Sequence, residues 1–199
     1  MRSELSYPVI VILLGVSGAG KTTLGRQLAQ NLGWKFYEAD DFHPRANIDK
    51  MERGVPLTDQ DRWPWLRSLR EMIEQQLTAR ENAVLACSAL RKTYRRYLRV
   101  NEHVQFVYLR GGYELIANQI RQRHGHFMEP ALLKSQFETL EEPEPAEGII
   151  TIDLGRPPPE LVDEIRRKLL LKSSGETGPD VYRRGSLAFA TDSTLTSVD

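Results

Sequence analysis

Residues 9 to 24 read VIVILLGVSGAGKTTL, and this stretch decides the fold that we expect the chain to adopt. Six apolar residues, Val9 to Leu14, run directly into the pattern Gly-x-x-x-x-Gly-Lys-Thr at positions 15 to 22. Apolar residues then recur at helical spacing, at positions 24, 28, 29 and 32. A strand that enters a glycine-rich turn and leaves it as a helix is the context in which this pattern binds phosphate groups.

Each residue type in the turn suits the binding of a nucleotide. Glycines allow main-chain N–H groups to curl around phosphate oxygens, and a lysine can reach the outer phosphates. The hydroxyl of Thr22 can bind Mg²⁺. We therefore expect the turn to bind nucleotide through Gly15, Val16, Ser17, Gly18, Ala19, Gly20, Lys21, Thr22 and Thr23.

The composition excludes several classes of protein. The 199 residues carry 27 acidic and 27 basic side chains, and no stripe of lysine and arginine is evident, so the electrostatic footprint of a nucleic-acid-binding protein is missing. The apolar run of residues 9–14 is too short to cross a membrane, and no cleavable signal sequence is evident. The single cysteine, Cys87, cannot form an internal disulfide. These observations predict a cytoplasmic protein that binds neither nucleic acid nor membranes.

Apolar strands and amphipathic helices alternate along the chain as far as Lys172. This alternation predicts an α/β fold with a parallel sheet and right-handed crossovers. We expect one domain over residues 1–172, followed by a disordered tail over residues 173–199, which is rich in serine, threonine and glycine. The strands are predicted at residues 9–14, 34–39, 83–87, 104–109 and 149–153, with a long helix from about 65 to 79 and a final helix from about 158.

Acidic side chains follow the second predicted strand. Glu38, Asp40 and Asp41 come at its carboxyl end, the edge at which open α/β sheets bind ligands. A mechanical ATPase normally has an acidic residue at the end of a strand beside the phosphate loop. The plain pattern of an apolar run followed by aspartate occurs here at the last predicted strand, at Asp153, which is a poor position for that residue. We therefore expect Asp153 to have a structural role. The guanine-reading and γ-phosphate-sensing motifs of switch GTPases are also missing. The remaining class is a small-molecule kinase, in which a carboxylate near the second strand orients the acceptor hydroxyl and lid arginines close over the phosphates.

Four further segments resemble the signature segments of gluconokinases. They are EADDFHPRANIDKMERGVPLTDQDRWPWLRSL at 38–69, CSALRKTYRRYLR at 87–99, FVYLRG at 106–111 and HGHFMEPALLKSQFETLEEP at 124–143. The resemblance covers about residues 8 to 171, and shikimate and nucleoside monophosphate kinases do not share these segments. It implies a three-layer P-loop kinase fold, with a five-stranded parallel sheet of order 2-3-1-4-5 flanked by helices and a mobile lid at about 121–130.

The activity that the resemblance implies is transfer of the γ-phosphate of ATP to the 6-hydroxyl of D-gluconate, with Mg²⁺ as cofactor and a homodimer as the possible assembly. Asp40 matches the second acid of the family's Asp-x-Asp element and is expected to accept or orient the hydroxyl proton. It forms the expected catalytic set with Lys21 and with Arg123 of the lid. Glu38 stands where the family usually has aspartate, and is expected to lie near Mg²⁺ through water.

Two further arginines are candidates for ATP binding. Arg121 lies at the start of the lid, and Arg156 lies in the turn after the last strand, where related kinases hold adenine. Gln119 replaces the first arginine of the family's lid element, a departure that predicts weaker nucleotide binding or reduced turnover. Arg121 is the residue available to compensate for it.

The sugar-acid site that the resemblance implies needs a planar cation and several hydrogen-bonding groups, because gluconate is a carboxylate with a row of hydroxyls. Arg62 is our first choice for the cation, and Arg91, Tyr94 and Arg95 compete for that role. For Arg95 and Arg96 we favour an ordinary surface charge. The expected substrate-binding residues are Asp40, His43, Asn47, Lys50, Arg62 and Arg91.

Two alternative functions stay open at this point. The chain could phosphorylate another small polyol acid, or it could be a nucleotide-binding regulatory protein with reduced kinase activity, which Gln119 keeps open. His124 and His126 lack a cysteine or third ligand, which argues against a zinc site. Ser186 follows two arginines, as in the target sites of basic-directed kinases, and this is a hypothesis about regulation.

Overall fold

In the computed structural model, β1 (Ile10–Leu14) is the central strand of a five-stranded sheet. β1 pairs in parallel with β3 (Ala83–Ala86) on one side and with β4 (Val104–Arg110) on the other. β2 (Lys35–Glu38) extends the sheet beyond β3, and β5 (Ile150–Asp153) extends it beyond β4, again in parallel. The order 2-3-1-4-5 that the resemblance implies is confirmed.

The structure describes residues 7–122 and 130–173. Helices separate the strands along the chain, because parallel strands cannot be joined by a tight turn. Two short 3-10 helices also lie in the connections, at Ala39–Phe42 and Pro145–Glu147. The α-helices are α1 (Lys21–Leu32), α2 (Arg45–Glu52), α3 (Asp59–Thr78), α4 (Lys92–Leu98), α5 (Tyr113–Arg121), α6 (Pro130–Thr139) and α7 (Pro158–Ser173).

Each face of the sheet carries its own apolar core. Ile10, Ile12 and Leu14 of β1 lie in a core with α3 and α4, whereas Val11 and Leu13 lie in a core with α1, α5, α6 and α7. Successive side chains of a strand point to opposite faces, so a strand buried on both faces must be apolar throughout. The uninterrupted apolar run of β1 therefore follows from its central place in three layers.

The predicted strands are found with small shifts of their ends, but α4 was not predicted. Residues 88–97 form a basic segment without a clear apolar period, and α4 has only seven residues. A helix this short is formed through its packing, since Tyr94 and Leu98 are buried against the sheet. Short helices of this kind are poorly marked in a sequence.

Asp153, for which we expected a structural role, lies on β5, separated from β1 by β4. It accepts hydrogen bonds from Arg110 at 2.6 and 3.0 Å, which support that role. Cys87 is buried after β3, and its burial raises the pKa of the thiol to about 12.

The larger part of the expected lid and the tail lie outside the described residues. This applies to Arg123, His124 and His126, and to Ser186. Their predicted roles, and the domain boundary at residue 172, stay predictions. In the part of the chain that the structure describes, no helix is both long and apolar enough to span a membrane.

Candidate active site

The turn between β1 and α1 has two positions at which only glycine fits. Gly15 has a φ of 145°, and a Cβ atom there would lie 3.0 Å from the carbonyl oxygen of Leu109 on β4. Gly18 has a φ of 84°, and its Cβ would lie 2.6 Å from Ile120 of α5. A residue with a side chain would be strained in this backbone region and would also collide with these neighbours. The glycines thus let the turn pass close to β4 and α5.

The amino-terminal end of α1 is suited to an anion. Its N-cap is Gly20, and among the described residues no side chain caps this end and no acid stands in its first turn. The Lys21 ammonium donates to the carbonyl oxygens of Gly15 and Val16, at 3.0 Å each. Helix N–H groups, the helix dipole and this ammonium therefore converge on the turn, where they favour phosphate.

Thr22 and Glu38, which we predicted to lie near Mg²⁺, lie close together. Burial is the largest cause of the raised pKa of Glu38; the neighbouring Thr22 hydroxyl and the Lys21 charge lower the pKa, whereas the Asp40 charge raises it. Mg²⁺ prefers oxygen ligands and keeps several waters, so a hydroxyl and a carboxylate beside the phosphate loop suit it. The residues present fit the predicted cofactor.

Asp40 lies in the 3-10 helix that directly follows β2. Its side chain is exposed, and its charge acts on both Glu38 and His43. The buried Trp65 of α3 donates its indole N–H to the carbonyl oxygen of Ala39 at 2.7 Å. This hydrogen bond anchors the 3-10 helix to α3 and fixes the place at which Asp40 is presented.

His43 and Asn47 lie where the chain enters α2. The imidazole of His43 stacks on Trp65, with ring centroids 4.7 Å apart and 11° between the planes. Asn47 is buried, donates to the carbonyl oxygen of Asp61 at 2.8 Å, and lies 3.3 Å from Nδ1 of His43. Burial is the largest cause of the lowered pKa of His43; the charge of Asp40 opposes it and the charge of Arg62 adds to it. A pKa below its usual value leaves the imidazole mostly neutral near pH 7. A neutral imidazole can hydrogen-bond a hydroxyl group.

Asp59, the first residue of α3, contacts Arg62, Arg91 and Tyr94, three of the candidates for binding the carboxylate of the sugar acid. Its carboxylate lies 2.6 Å from Nη1 of Arg91 and 3.3 Å from Nη1 of Arg62, and it accepts a hydrogen bond from Tyr94 at 2.5 Å. The Tyr94 bond, followed by Arg91 and Arg62, lowers the pKa of Asp59. We name these four residues the Asp59 cluster. Two guanidinium groups share one carboxylate, so the cluster keeps a net positive charge that can attract a substrate anion.

Lys50, also predicted to bind substrate, is held by Asp61 at 2.6 Å. Asp61 accepts hydrogen bonds from the N–H and hydroxyl groups of Thr58 at 2.9 and 2.8 Å, and its own N–H donates to that hydroxyl. The Lys50 bond, with those from Thr58, lowers the pKa of Asp61 to about 2. The N-cap of α3 is thus Thr58, and Asp61 completes a capping box. The role of Lys50 in substrate binding stays a prediction.

The arginines predicted to bind ATP make local contacts. Arg121 donates to the side chain of Asn118 at 2.5 Å, at the end of α5. Arg156 pairs with Glu164 of α7 and donates to the carbonyl oxygen of Asp153 at 3.3 Å. None of these contacts involves the glycine-rich turn, so ATP binding by Arg121 and Arg156 stays a prediction.

The expectation that Arg95 is a surface charge is wrong. Its side chain is 1% exposed and donates from Nε and Nη2 to Glu147, at 2.8 Å each. Its Nη1 donates to the carbonyl oxygens of Leu90 and Glu141, at 3.0 Å each. Arg95 therefore fixes the backbone just before Arg91. Which face of α4 is buried could not be known while the helix itself was unpredicted; Arg96, its neighbour, is exposed as expected.

Gln136 of α6 also contacts the site, and sequence reasoning missed it. Its carboxamide is hydrogen-bonded to Ser17 in the glycine-rich turn, at 2.6 and 2.9 Å. No local pattern marks this glutamine, because only the packing of α6 brings it to the turn.

Comparisons with known proteins identify the family to which the chain is related. A family model described as shikimate kinase matches residues 17–147. A probable gluconokinase from Xenopus tropicalis is 42% identical over 187 residues, which cover 83% of this chain and 98% of that protein. The thermosensitive gluconokinase of Escherichia coli strain K12 is 45% identical over 161 residues, or 80% of this chain and 86% of that protein.

Solved structures separate the two family descriptions. The crystal structure of a gluconokinase from Sinorhizobium meliloti 1021 matches with a TM-score of 0.76 at 39% identity, over 85% of this chain and 95% of that one. Three solved shikimate kinases match with TM-scores of 0.53 to 0.59 at 16 to 20% identity, a likeness that concerns the fold alone. Identity near 40% along most of both chains is the more specific finding. The chain is therefore a member of the gluconokinase family, within the wider group of P-loop kinases that a shikimate kinase model also matches.

Proposed function

We propose that this chain phosphorylates D-gluconate with ATP and produces 6-phospho-D-gluconate. The observation that carries the proposal is a series of interacting side chains that begins at the phosphate loop. Glu38 ends β2 beside the loop, and Asp40 follows it in the 3-10 helix that Trp65 anchors to α3. His43 stacks on Trp65, and the same helix α3 carries Arg62 of the Asp59 cluster. This series supplies phosphate binding at one end, an anion-binding cluster at the other, and a carboxylate in between.

The nucleotide half of the reaction belongs to the glycine-rich turn. Its main-chain N–H groups and Lys21 bind and orient the phosphates, and the dipole of α1 stabilises their negative charge. Thr22 and Glu38 would hold Mg²⁺, which when bound neutralises charge on the phosphates. Because catalysis of phosphoryl transfer is mostly positioning and electrostatic stabilisation, a rigid loop suits the task.

The acceptor half belongs to Asp40 and the Asp59 cluster. Gluconate carries its carboxylate at C1 and the reacting hydroxyl at C6, at opposite ends of a six-carbon chain. The arginines of the cluster bind the carboxylate, and Asp40 accepts or orients the proton of the 6-hydroxyl. His43 offers a hydrogen bond to a hydroxyl between these ends.

The cytoplasm is the compartment that we propose, because the reaction consumes ATP and Cys87 is a free thiol. A homodimer is the proposed assembly on the strength of the resemblance alone. Light scattering after size-exclusion chromatography measures it directly, and a monomer at micromolar concentration would contradict it.

The proposed function is tested by a coupled assay of ADP release. Gluconate, shikimate, ketogluconates and nucleoside monophosphates are compared as acceptors, with Lys21→Ala as the inactive control. We expect gluconate to have the highest kcat/KM, because it combines a carboxylate and a distant primary hydroxyl with an unbroken row of hydroxyls between them, which the ketogluconates lack. Preference for shikimate or a nucleotide would refute the assignment.

A further inference from the structure

Gln136 of α6 binds both polar groups of Ser17 in the glycine-rich turn. The main-chain N–H of Ser17 donates to Oε1 of Gln136 at 2.6 Å, and Nε2 of Gln136 donates to Oγ of Ser17 at 2.9 Å. One carboxamide thus joins residues that lie 119 positions apart in the chain. Such a contact is made by the tertiary structure and not by the local geometry of the turn.

The turn is held from several sides. The N–H of Gly15 donates to the carbonyl oxygen of Ser88, after β3, at 3.3 Å, and Ile120 of α5 packs against Gly18. Ser17 lies between these two fixed glycines, and Gln136 is the side chain that binds its N–H. Without that bond, the turn between residues 15 and 18 would lose a contact that limits its motion.

α6 is a rigid base for this contact. Leu133, three residues before Gln136 on the same side of the helix, is 2% exposed in the core against the sheet. The next residue, Phe137, packs its ring against Tyr113 of α5, with centroids 5.6 Å apart. After the helix, the N–H of Glu141 donates to the carbonyl oxygen of Leu90 at 3.0 Å. Gln136 therefore lies in a part of α6 that is packed against its neighbours both before and after it.

We propose that Gln136 is a positioning residue of the phosphate loop. Its carboxamide holds Ser17 so that the loop amides are already arranged before the nucleotide arrives. Anion sites made of main-chain N–H groups work through such preorganisation, because ordering the loop on binding costs affinity. The proposal depends on the proposed function in one respect: the kinetic measurements use gluconate as the phosphate acceptor.

The test compares Gln136→Ala with Glu138→Ala. Glu138 lies on the same helix, and its partner among the residues that the structure describes is Lys134, in an exposed ion pair at 3.9 Å. Loss of two hydrogen bonds of ordinary strength predicts ADP binding weaker by about tenfold in Gln136→Ala, measured by calorimetry. KM for ATP should rise in parallel, KM for gluconate should stay unchanged, and Glu138→Ala should match the wild type.

Ser17→Ala removes the Oγ atom and leaves the main-chain N–H. If Gln136 acts through Oγ of Ser17, Gln136→Ala should weaken ADP binding less in the Ser17→Ala background than in the wild type. Equal losses in both backgrounds would assign the effect to the main-chain N–H of Ser17, whose bond to Gln136 remains in Ser17→Ala, and would support the proposal through that bond alone. A merely structural role would lower the thermal unfolding midpoint of Gln136→Ala and leave ADP binding unchanged.

Two results would overturn the proposal. Unchanged ADP affinity in Gln136→Ala would mean that the carboxamide does not shape the loop. Tighter ADP binding would mean that the carboxamide competes with phosphate for the Ser17 N–H. ADP binding is measured without an acceptor, so a failure of gluconate turnover in the wild type would refute the proposed function and leave this inference standing.

Discussion

Asp40 is the residue on which the proposed chemistry depends most directly. Asp40→Asn keeps the size of the side chain and removes its ability to take a proton. We expect kcat to fall by about 10² to 10⁴ and ADP affinity to stay unchanged, since a positioned base acts only on the chemical step. Steady-state kinetics with gluconate measure this, and Asp49→Asn on α2, whose partner is the exposed Arg45, is the control. Full activity in Asp40→Asn would contradict the mechanism.

The role of the two arginines of the Asp59 cluster can be tested by comparing acceptors with and without a carboxylate. Arg62→Gln and Arg91→Gln each remove one cation, and we expect KM for gluconate to rise by roughly tenfold to a hundredfold, because each loses a hydrogen bond to a charged group. D-Glucitol carries the same row of hydroxyls without the carboxylate, so its weaker kinetics should not change. Arg96→Gln, on the exposed side of α4, serves as control. An unchanged KM for gluconate in both variants would show that the carboxylate binds elsewhere.

At the scale of secondary-structure elements, α3 organises the acceptor side. It begins with the capping box of Thr58 and Asp61, carries Arg62 in its second turn, and holds the 3-10 helix of Asp40 through Trp65. One helix therefore positions both a cation for the substrate and the carboxylate for its hydroxyl. Its buried face was predictable from helical periodicity, whereas the indole hydrogen bond was not.

Trp65→Phe tests this link between α3 and the 3-10 helix. The substitution keeps an aromatic ring beside His43 but leaves the carbonyl oxygen of Ala39 without its donor. We expect the free energy of unfolding to fall by about 1 to 3 kcal/mol and kcat to decrease, because a buried acceptor is unsatisfied and Asp40 is less firmly held. Urea denaturation and gluconate kinetics measure the two effects. The control is Trp63→Phe, at a position 43% exposed; equal losses in both variants would contradict the anchoring role.

At the scale of the whole molecule, the buried pair of Arg95 and Glu147 joins α4 to the chain before β5. Both side chains are almost inaccessible, at 1% and 9% exposed. The hydrogen bond from Arg95 is the largest cause of a lowered pKa of Glu147, and burial acts against it. A depressed carboxyl pKa stabilises the fold above the ordinary glutamate pKa, and this stability is lost as the pH falls through the lowered value.

Glu147→Gln removes the negative charge and leaves Arg95 buried without a counterion. We expect the free energy of unfolding at pH 7 to fall by about 3 to 5 kcal/mol, the usual cost of breaking a buried pair. The wild type should also lose stability as the pH falls below about 4.3, and the variant should lose less over that range. Urea denaturation at several pH values measures both. The same dependence on pH in both proteins would show that Glu147 does not titrate in this way.

Local patterns were sufficient for much of the fold. The strands, the long helix and the glycine-rich turn were predictable because each depends on side-chain periodicity or on glycine within one short segment. α4 was not predicted from such a pattern, because it is short and takes its stability from packing. Among the site residues, Lys21 and Thr22 lie close to Glu38, and their predicted roles stay predictions. Lys50 has a contact with Asp61 that the spacing did not reveal.

The sequence by itself determined a phosphate-binding turn on a buried strand, a parallel α/β fold and, through its signature segments, the gluconokinase family. Only the tertiary structure decided that Arg62 and Arg91 share Asp59, that Arg95 is buried, and that Gln136 reaches Ser17. The physical reason is distance along the chain. Backbone preferences and periodicity act within a few residues, whereas these contacts join segments that meet only when the helices pack on the sheet.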